Sequence, residues 1–224
     1  MEGVRVLSFV FALLLMSATV CIADDGGGAG WTVIQRERGI TVSRRVQPGC
    51  DLPSFRGQGR IRGNVLQILA VMLDLKAVGS WAHGVHTSRP LQRIDARTHL
   101  VYLSSDLPWP LRDRDMVVRS TVEVVRPSEE FHIGLRCEPD VPGPKSDAIR
   151  VKHCVSSLHL RKIDAETTEV DYVMSLDPAG HLPRWSAEWA TKETPFKTLV
   201  ALEKRAASSQ GQYAAAVRDW SAAL

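Results

Sequence analysis

The 224-residue chain lacks most of the signatures that announce a chemistry. It holds no Gly-x-Ser-x-Gly elbow, no phosphate-cradling glycine loop and no dinucleotide fingerprint. Its four cysteines, Cys21, Cys50, Cys137 and Cys154, are spaced too widely for a zinc pattern. Among the seven histidines, His83 and His86 fall on opposite faces of any strand that carries both. His153 and His159 are joined by no carboxylate at metal-ligand spacing, so no metal and no cofactor is expected. The net charge is only +3 and the basic residues are scattered. A nucleic-acid surface gathers them into a stripe with aromatics between, so nucleic acid is not an expected partner. No low-complexity tract occurs. Beyond the first 23 residues no apolar run approaches the roughly 20 residues that span a bilayer.

What is present begins with an export layout. Arg5 precedes an apolar stretch from Val6 to Val20, and Cys21-Ile22-Ala23 supplies the small residues of a cleavage site. Residues 1–23 therefore read as a signal peptide, with an uncleaved anchor as the alternative. Residues 24–30 follow as an acidic, glycine-rich leader. The mature chain is expected outside the cytoplasm, periplasmic or secreted. Its three remaining cysteines sit in an oxidising compartment, where an odd number leaves a thiol over. Cys137 and Cys154 lie on neighbouring predicted strands, but the register expected from the alternation does not set them opposite each other.

The rest is strand-rich. Trp31 to Arg36 and Ile40 to Val46 read as strands joined by an Arg38-Gly39 turn. Phe55 to Ile61, with Gly57 and Gly59 inside, reads as a bent or edge strand. Asn64 caps a helix whose apolar face is Val65, Ile68, Leu69, Met72 and Leu73, ending near Gly79. Strands are expected at Trp81–Thr87, Leu91–Ile94, His99–Ser104, Met116–Val125 and Phe131–Cys137. Ile149 to Lys162 changes phase, which predicts a bulge near Ser156-Ser157. Thr167 to Leu176 alternates cleanly. Leu182 to Arg205 reads as a long helix bearing Trp185, Trp189, Phe196, Leu199 and Val200 on one side, kinked at Pro195. Residues 206–224 read as a tail or short helix. Helix, meandering strands and a closing helix make an α+β fold, with the sheet covered on one face.

The segment Ser105-Asp-Leu-Pro-Trp-Pro-Leu-Arg-Asp-Arg-Asp-Met-Val-Val118 resembles a hallmark of START domains, the StAR-related lipid-transfer family. Arg114-Asp115-Met116 stands where that family enters its central strand after a proline turn. Asp74 to Trp81 and Asp177-Pro-Ala-Gly-His-Leu-Pro-Arg-Trp185 are similar to family stretches in order and spacing, and Pro195, Phe196 and Leu199 continue the closing helix. The resemblance covers about residues 31–205. It implies a helix-grip: a curved antiparallel sheet of about nine strands wrapped around a long C-terminal helix, enclosing a hydrophobic cavity. It also implies one bound hydrophobic ligand, such as a sterol or phospholipid. Two departures stand out. The family's long N-terminal helix is missing or reduced to the leader, and the polar sterol contacts of strands five and six fall near Leu100 and beside Arg119 here.

On this reading the cavity is lined by Leu100, Tyr102, Val118, Ser120, Val122, Phe131, Ile133, Val151, Tyr172, Met174, Trp185 and Trp189. Ser120, Tyr102, Tyr172 and His153 supply the few polar groups that orient a ligand. Arg114 and Asp115 read as structural, tying the proline loop to its neighbours. The expected protein is a monomeric carrier or sensor outside the cytoplasm, without catalysis, making transient membrane contact. Two other readings stay open. One is a helix-grip enzyme, cyclase- or hydrolase-like, with His153 and Tyr172 as acid–base pair; the other is a filled-core interaction module.

Overall fold

The computed structural model describes residues 30–46, 52–179, 192–209 and 211–215. The signal segment, Cys50, Trp185 and Trp189 lie outside the described residues. Ten strands form one sheet: β1 (Thr32–Glu37), β2 (Ile40–Arg45), β3 (Ser54–Arg62), β4 (Thr87–Arg93), β5 (Thr98–Ser105), β6 (Arg114–Arg126), β7 (Glu130–Cys137), β8 (Ile149–Arg150), β9 (His153–Lys162) and β10 (Thr167–Asp177). Helix α1 (Val65–Leu73) follows β3, and α2 (Thr194–Ser208) follows β10. The order across the sheet is β1-β2-β3-β10-β9-β7-β6-β5-β4, all antiparallel, and β8 pairs with β6 in parallel.

Local chemistry sets the joints. Arg38 and Gly39 both take positive φ, 52° and 75°, as a tight hairpin turn between β1 and β2 demands. The Asn64 side chain accepts from the Leu66 N–H at 2.9 Å and starts α1. Both helices lie on one face of the sheet, here called concave. Rungs of directly opposed residues run across that face. One is Val122, Ile133, Leu158, Tyr172, Gly57 and Val42; the next is Ser120, Leu135, Ser156, Met174 and Phe55. The main apolar core lies between these rungs and α1 and α2, with Leu199 and Leu202 fully buried.

Several expectations are corrected. β3 lies between β2 and β10 rather than at an edge. Its glycines make room: a Cβ on Gly57 would sit 2.8 Å from Pro195 Cβ, and one on Gly59 would sit 2.9 Å from Ile40 Cγ1. Pro195 is the second residue of α2, where a missing N–H is harmless; residues 182–191 of the expected longer helix lie outside the described residues. Trp81–Thr87 is no strand; a 3-10 turn at Val78–Ser80 leads through Gly84 to β4, which includes most of the expected Leu91–Ile94 strand. The phase change in Ile149–Lys162 comes from a break between β8 and β9, and β9 pairs without a shift through Ser156 and Ser157. Cys137 and Cys154 do face each other, one position beyond the Arg136–Val155 pair, and are joined by a disulfide with Cα atoms 5.1 Å apart.

The convex face is not simply solvated. The loop 138–148 folds over it and covers Leu100, Tyr102 and Val117 with Val141. Asp115, 2% exposed, anchors this cover. It accepts from Arg150 Nε at 2.7 Å, Ser146 Oγ at 2.7 Å and Tyr102 OH at 3.3 Å. Burial works to raise the Asp115 pKa, but the bonds from Arg150, Ser146 and Tyr102 outweigh it and hold the carboxyl below its ordinary range. On the concave side, Tyr213 donates to Asp74 Oδ2 at 2.8 Å and ties the described part of the tail to the end of α1.

Two outcomes are expected. Gly57→Val overfills the contact with Pro195 and Leu199 and lowers stability by about 1–3 kcal/mol, although valine favours strands; an unchanged urea midpoint would show that α2 does not seat there. A carboxyl with a depressed folded pKa adds stability above its unfolded value, near 4, and loses it as pH falls through the folded value. Asp115→Asn should therefore weaken the fold by about 2 kcal/mol at neutral pH and flatten the acid limb of the stability–pH curve, both read by urea titration at several pH values.

Candidate functional site

The concave face carries the candidate site, and strand parity decides which residues reach it. Val118 opposes Val101 and Cys137, so Val118, Ser120 and Val122 point to the side of the helices. Phe131, Ile133, Tyr172 and Met174 lie with Val122 in the buried cluster. Val151 is 1% exposed and alternates with Arg150, which shares the convex side with Asp115; Val151 therefore falls on the concave side at the β6 margin. These eight expected residues are brought together.

Three are not. Leu100 opposes Arg119 and Tyr102 opposes Val117, which places both under the convex loop. The Tyr102 hydroxyl is committed to Asp115. The four-residue run Leu100-Val101-Tyr102-Leu103 gives no parity signal, because both faces of β5 are covered. Val101, buried opposite Val118, is the residue that occupies the concave side. His153 is exposed and opposes Asp177 on the convex side, one position before Cys154.

Among the concave residues absent from the expected lining, Leu135, Leu176 and Ser156 stand out. Leu135 and Leu176 share the alternation of Ile133 and Met174, so their signal was present. Ser156 was hidden by the expected bulge. All three are half-buried although they lie within the sheet's concave rows. Ser156 bonds the Tyr172 hydroxyl, and burial pushes the Tyr172 pKa up to about 12, so the phenol stays neutral. The polar groups within the central rows of this face are Ser120, Ser156 and Tyr172, with His99 opposite Ser120 and Arg44 opposite Phe55 toward its two sides. Among the described residues a cleft of about 1020 Å³ opens elsewhere, where α1 and α2 meet the β9–β10 turn. Arg38 and Arg62 on its rim are paired with Glu203.

At the open end of the sheet, Arg114 works as a clamp. Its guanidinium donates to the carbonyls of Pro178 and Ala179, each at 3.0 Å, and also to the Arg112 carbonyl. One buried side chain therefore joins the proline loop to the chain that leaves β10 for the closing segment. The proline loop contains a cis Trp109–Pro110 bond and presents Trp109 to solvent, 92% exposed. No helix among the described residues is long and apolar enough to cross a membrane.

Known proteins agree with this geometry. A protein of Pseudomonas aeruginosa, itself uncharacterized, is 27% identical over 208 residues, which is 92% of this chain and 98% of that protein. The phosphatidylcholine transfer protein of Bos taurus is 27% identical over 170 residues, covering 74% of this chain and 78% of its own. The solved fragment of a STAR-related lipid transfer protein from Xanthomonas axonopodis superposes with a TM-score of 0.72 at 29% identity, covering 80% of this chain and 99% of that fragment. The sequence profile of the START domain matches residues 25–210, from the leader through the whole of α2. The chain belongs to the START domain family.

Proposed function

We propose that this protein binds one lipid against the concave face and carries or senses it outside the cytoplasm, without a covalent step. The observation that carries the reading is the apolar concave face itself. It continues across β6, β7, β9 and β10 beneath two helices, and the polar groups in its central rows are the hydroxyls of Ser120, Ser156 and Tyr172. A face of that composition suits a hydrocarbon body with a modest polar end. Each buried CH₂ gains about 0.8 kcal/mol, so ten give on the order of 8 kcal/mol before ordering costs. That is enough for binding without chemistry. His153, the acid–base candidate of the enzyme reading, points away from this face. A glycerophospholipid is supported as ligand class by the name of the bovine relative, phosphatidylcholine transfer protein.

Export is supported by two independent features. The first 23 residues have a signal layout, and the Cys137–Cys154 disulfide suits an oxidising compartment. Contact with a membrane is supported by Trp109. Indole rings favour the bilayer interface, and the clamp at Arg114 links the Trp109 loop to the chain entering the closing segment.

Native mass spectrometry of protein purified without detergent should show a lipid adduct on a chain beginning at Asp24. Leu135→Trp, which fills half-buried space on the concave face, should lower lipid uptake by roughly tenfold while the fold survives; retained uptake would move the ligand off this face. Trp109→Ala should weaken partition onto anionic vesicles by roughly tenfold in a sedimentation assay, with adduct formation in free solution unchanged.

A further inference from the structure

An indole has a single hydrogen-bond donor, and the fold leaves that of Trp81 unused. Trp81 follows the 3-10 turn Val78–Ser80, and its ring packs against the main apolar cluster. Its Nε1 is closed to water and meets no acceptor among the described residues. An unmet buried donor is unfavourable, and native proteins keep few of them. Arg44, Arg45 and Arg205 also have a buried Nε without its own bond, but each guanidinium has other donors and other partners. Trp81 is different, because its whole polar capacity is unmet.

The surroundings indicate what this donor would take. Met72 and Leu73 at the end of α1 and Phe196 at the start of α2 pack half-buried against the same cluster as Trp81. His83, two residues on, feels Lys197 and Glu193 of α2, so the Trp81 turn sits at that end of the helix. Lys197 pairs with Glu193, Lys192 beside them is exposed to solvent, and burial, then Lys197, pushes the His83 pKa down. Ser120, Ser156 and Tyr172 are uncharged, and the Arg114 donors are spent on backbone carbonyls. Among the buried groups here an anionic oxygen finds no free cation.

We propose that the Trp81 Nε1–H is a ligand contact, donating to an uncharged lipid oxygen: an ester or amide carbonyl, or a hydroxyl. The assignment rests on the lipid-binding reading above and gives the bound lipid an orientation, with its polar end toward the α1–α2 junction. An empty protein carries the unmet donor; a loaded one satisfies it. A pure hydrocarbon fits the same apolar surface but leaves the donor bare, so it forfeits that gain.

The test uses the mature chain labelled with nitrogen-15 tryptophan, offered phosphatidylcholine, cholesterol, a triacylglycerol or the hydrocarbon squalane. The Trp81 indole resonance is identified by its absence from Trp81→Phe, which keeps an aromatic, if smaller, side chain and removes the donor. Phosphatidylcholine or cholesterol should move that resonance downfield and squalane should not; cholesterol offers only a hydroxyl, a triacylglycerol that moves it too assigns the phosphatidylcholine response to an ester carbonyl, and movement with phosphatidylcholine alone points to the phosphate and overturns the assignment. Trp81→Phe should bind the oxygen-bearing lipid roughly three- to tenfold more weakly, with squalane binding kept and the urea midpoint of the empty protein equal or higher. A resonance that stays still on loading, or equal lipid affinity in the variant, overturns the assignment. Failure of the unsubstituted protein to take up any probe overturns the lipid-binding reading itself, and is seen before the variant is compared.

Discussion

Gly57 has no side chain, and Pro195 and Leu199 stand where one would be. That close approach of α2 to the middle of β3 sets the depth at which the helix lies on the sheet. Leu199 and Leu202 are then fully buried, and α1 packs beside α2 to complete the cover. A bulkier β3 would lift the helix and open the core on either side of it. Glycine in a strand interior is usually a weakness. Here the lost strand propensity is offset by apolar surface brought within contact distance.

The other face is held by charge. Asp115 is the only carboxylate among the described buried residues, and it gathers Arg150, Ser146 and Tyr102 around it. A buried ion pair gives little net stability against an apolar replacement, but losing one partner strands the other. Its use here is geometric, because it fixes where the 138–148 loop lies over β5 and β6. Its neighbour Arg114 points to the opposite face and holds Pro178 and Ala179. Two adjacent residues of one strand thus secure a loop on each side of the sheet. The disulfide Cys137–Cys154 adds a covalent tie between β7 and β9 close to the same end.

Between these constraints lies a largely apolar concave surface, with hydroxyls in its central rows and His99 and Arg44 toward its two sides. The sheet's ion pairs stay away from it. Arg56 pairs with Asp171, Arg161 with Glu169 and His159 with Glu130, all on the convex side. This separation follows from alternation in antiparallel strands, which send successive side chains to opposite faces. Burial keeps the Tyr172 phenol of this face protonated at ordinary pH.

Much of this was legible in the residues. The alternation in Met116–Val125, Phe131–Cys137 and Thr167–Leu176 named the concave rows correctly, because each strand there has one polar face. Asn64 marked the start of α1, and Arg38-Gly39 marked a hairpin. The order of motifs around Arg114-Asp115 pointed to the family. Parity failed on β5, whose two faces are both covered, and on β9, where a chain break looks like a bulge. The opposition of Cys137 to Cys154 depends on how β7 and β9 meet after a loop of many residues, and no local pattern encodes that register. The unmet donor of Trp81 is likewise invisible in sequence, since an indole advertises its N–H whether or not an acceptor is near. Local residue pattern determined strand faces, turns and family; only the packed structure decided registers, the second covered face and which polar atoms remain unpaired, because those depend on contacts between residues far apart in the chain.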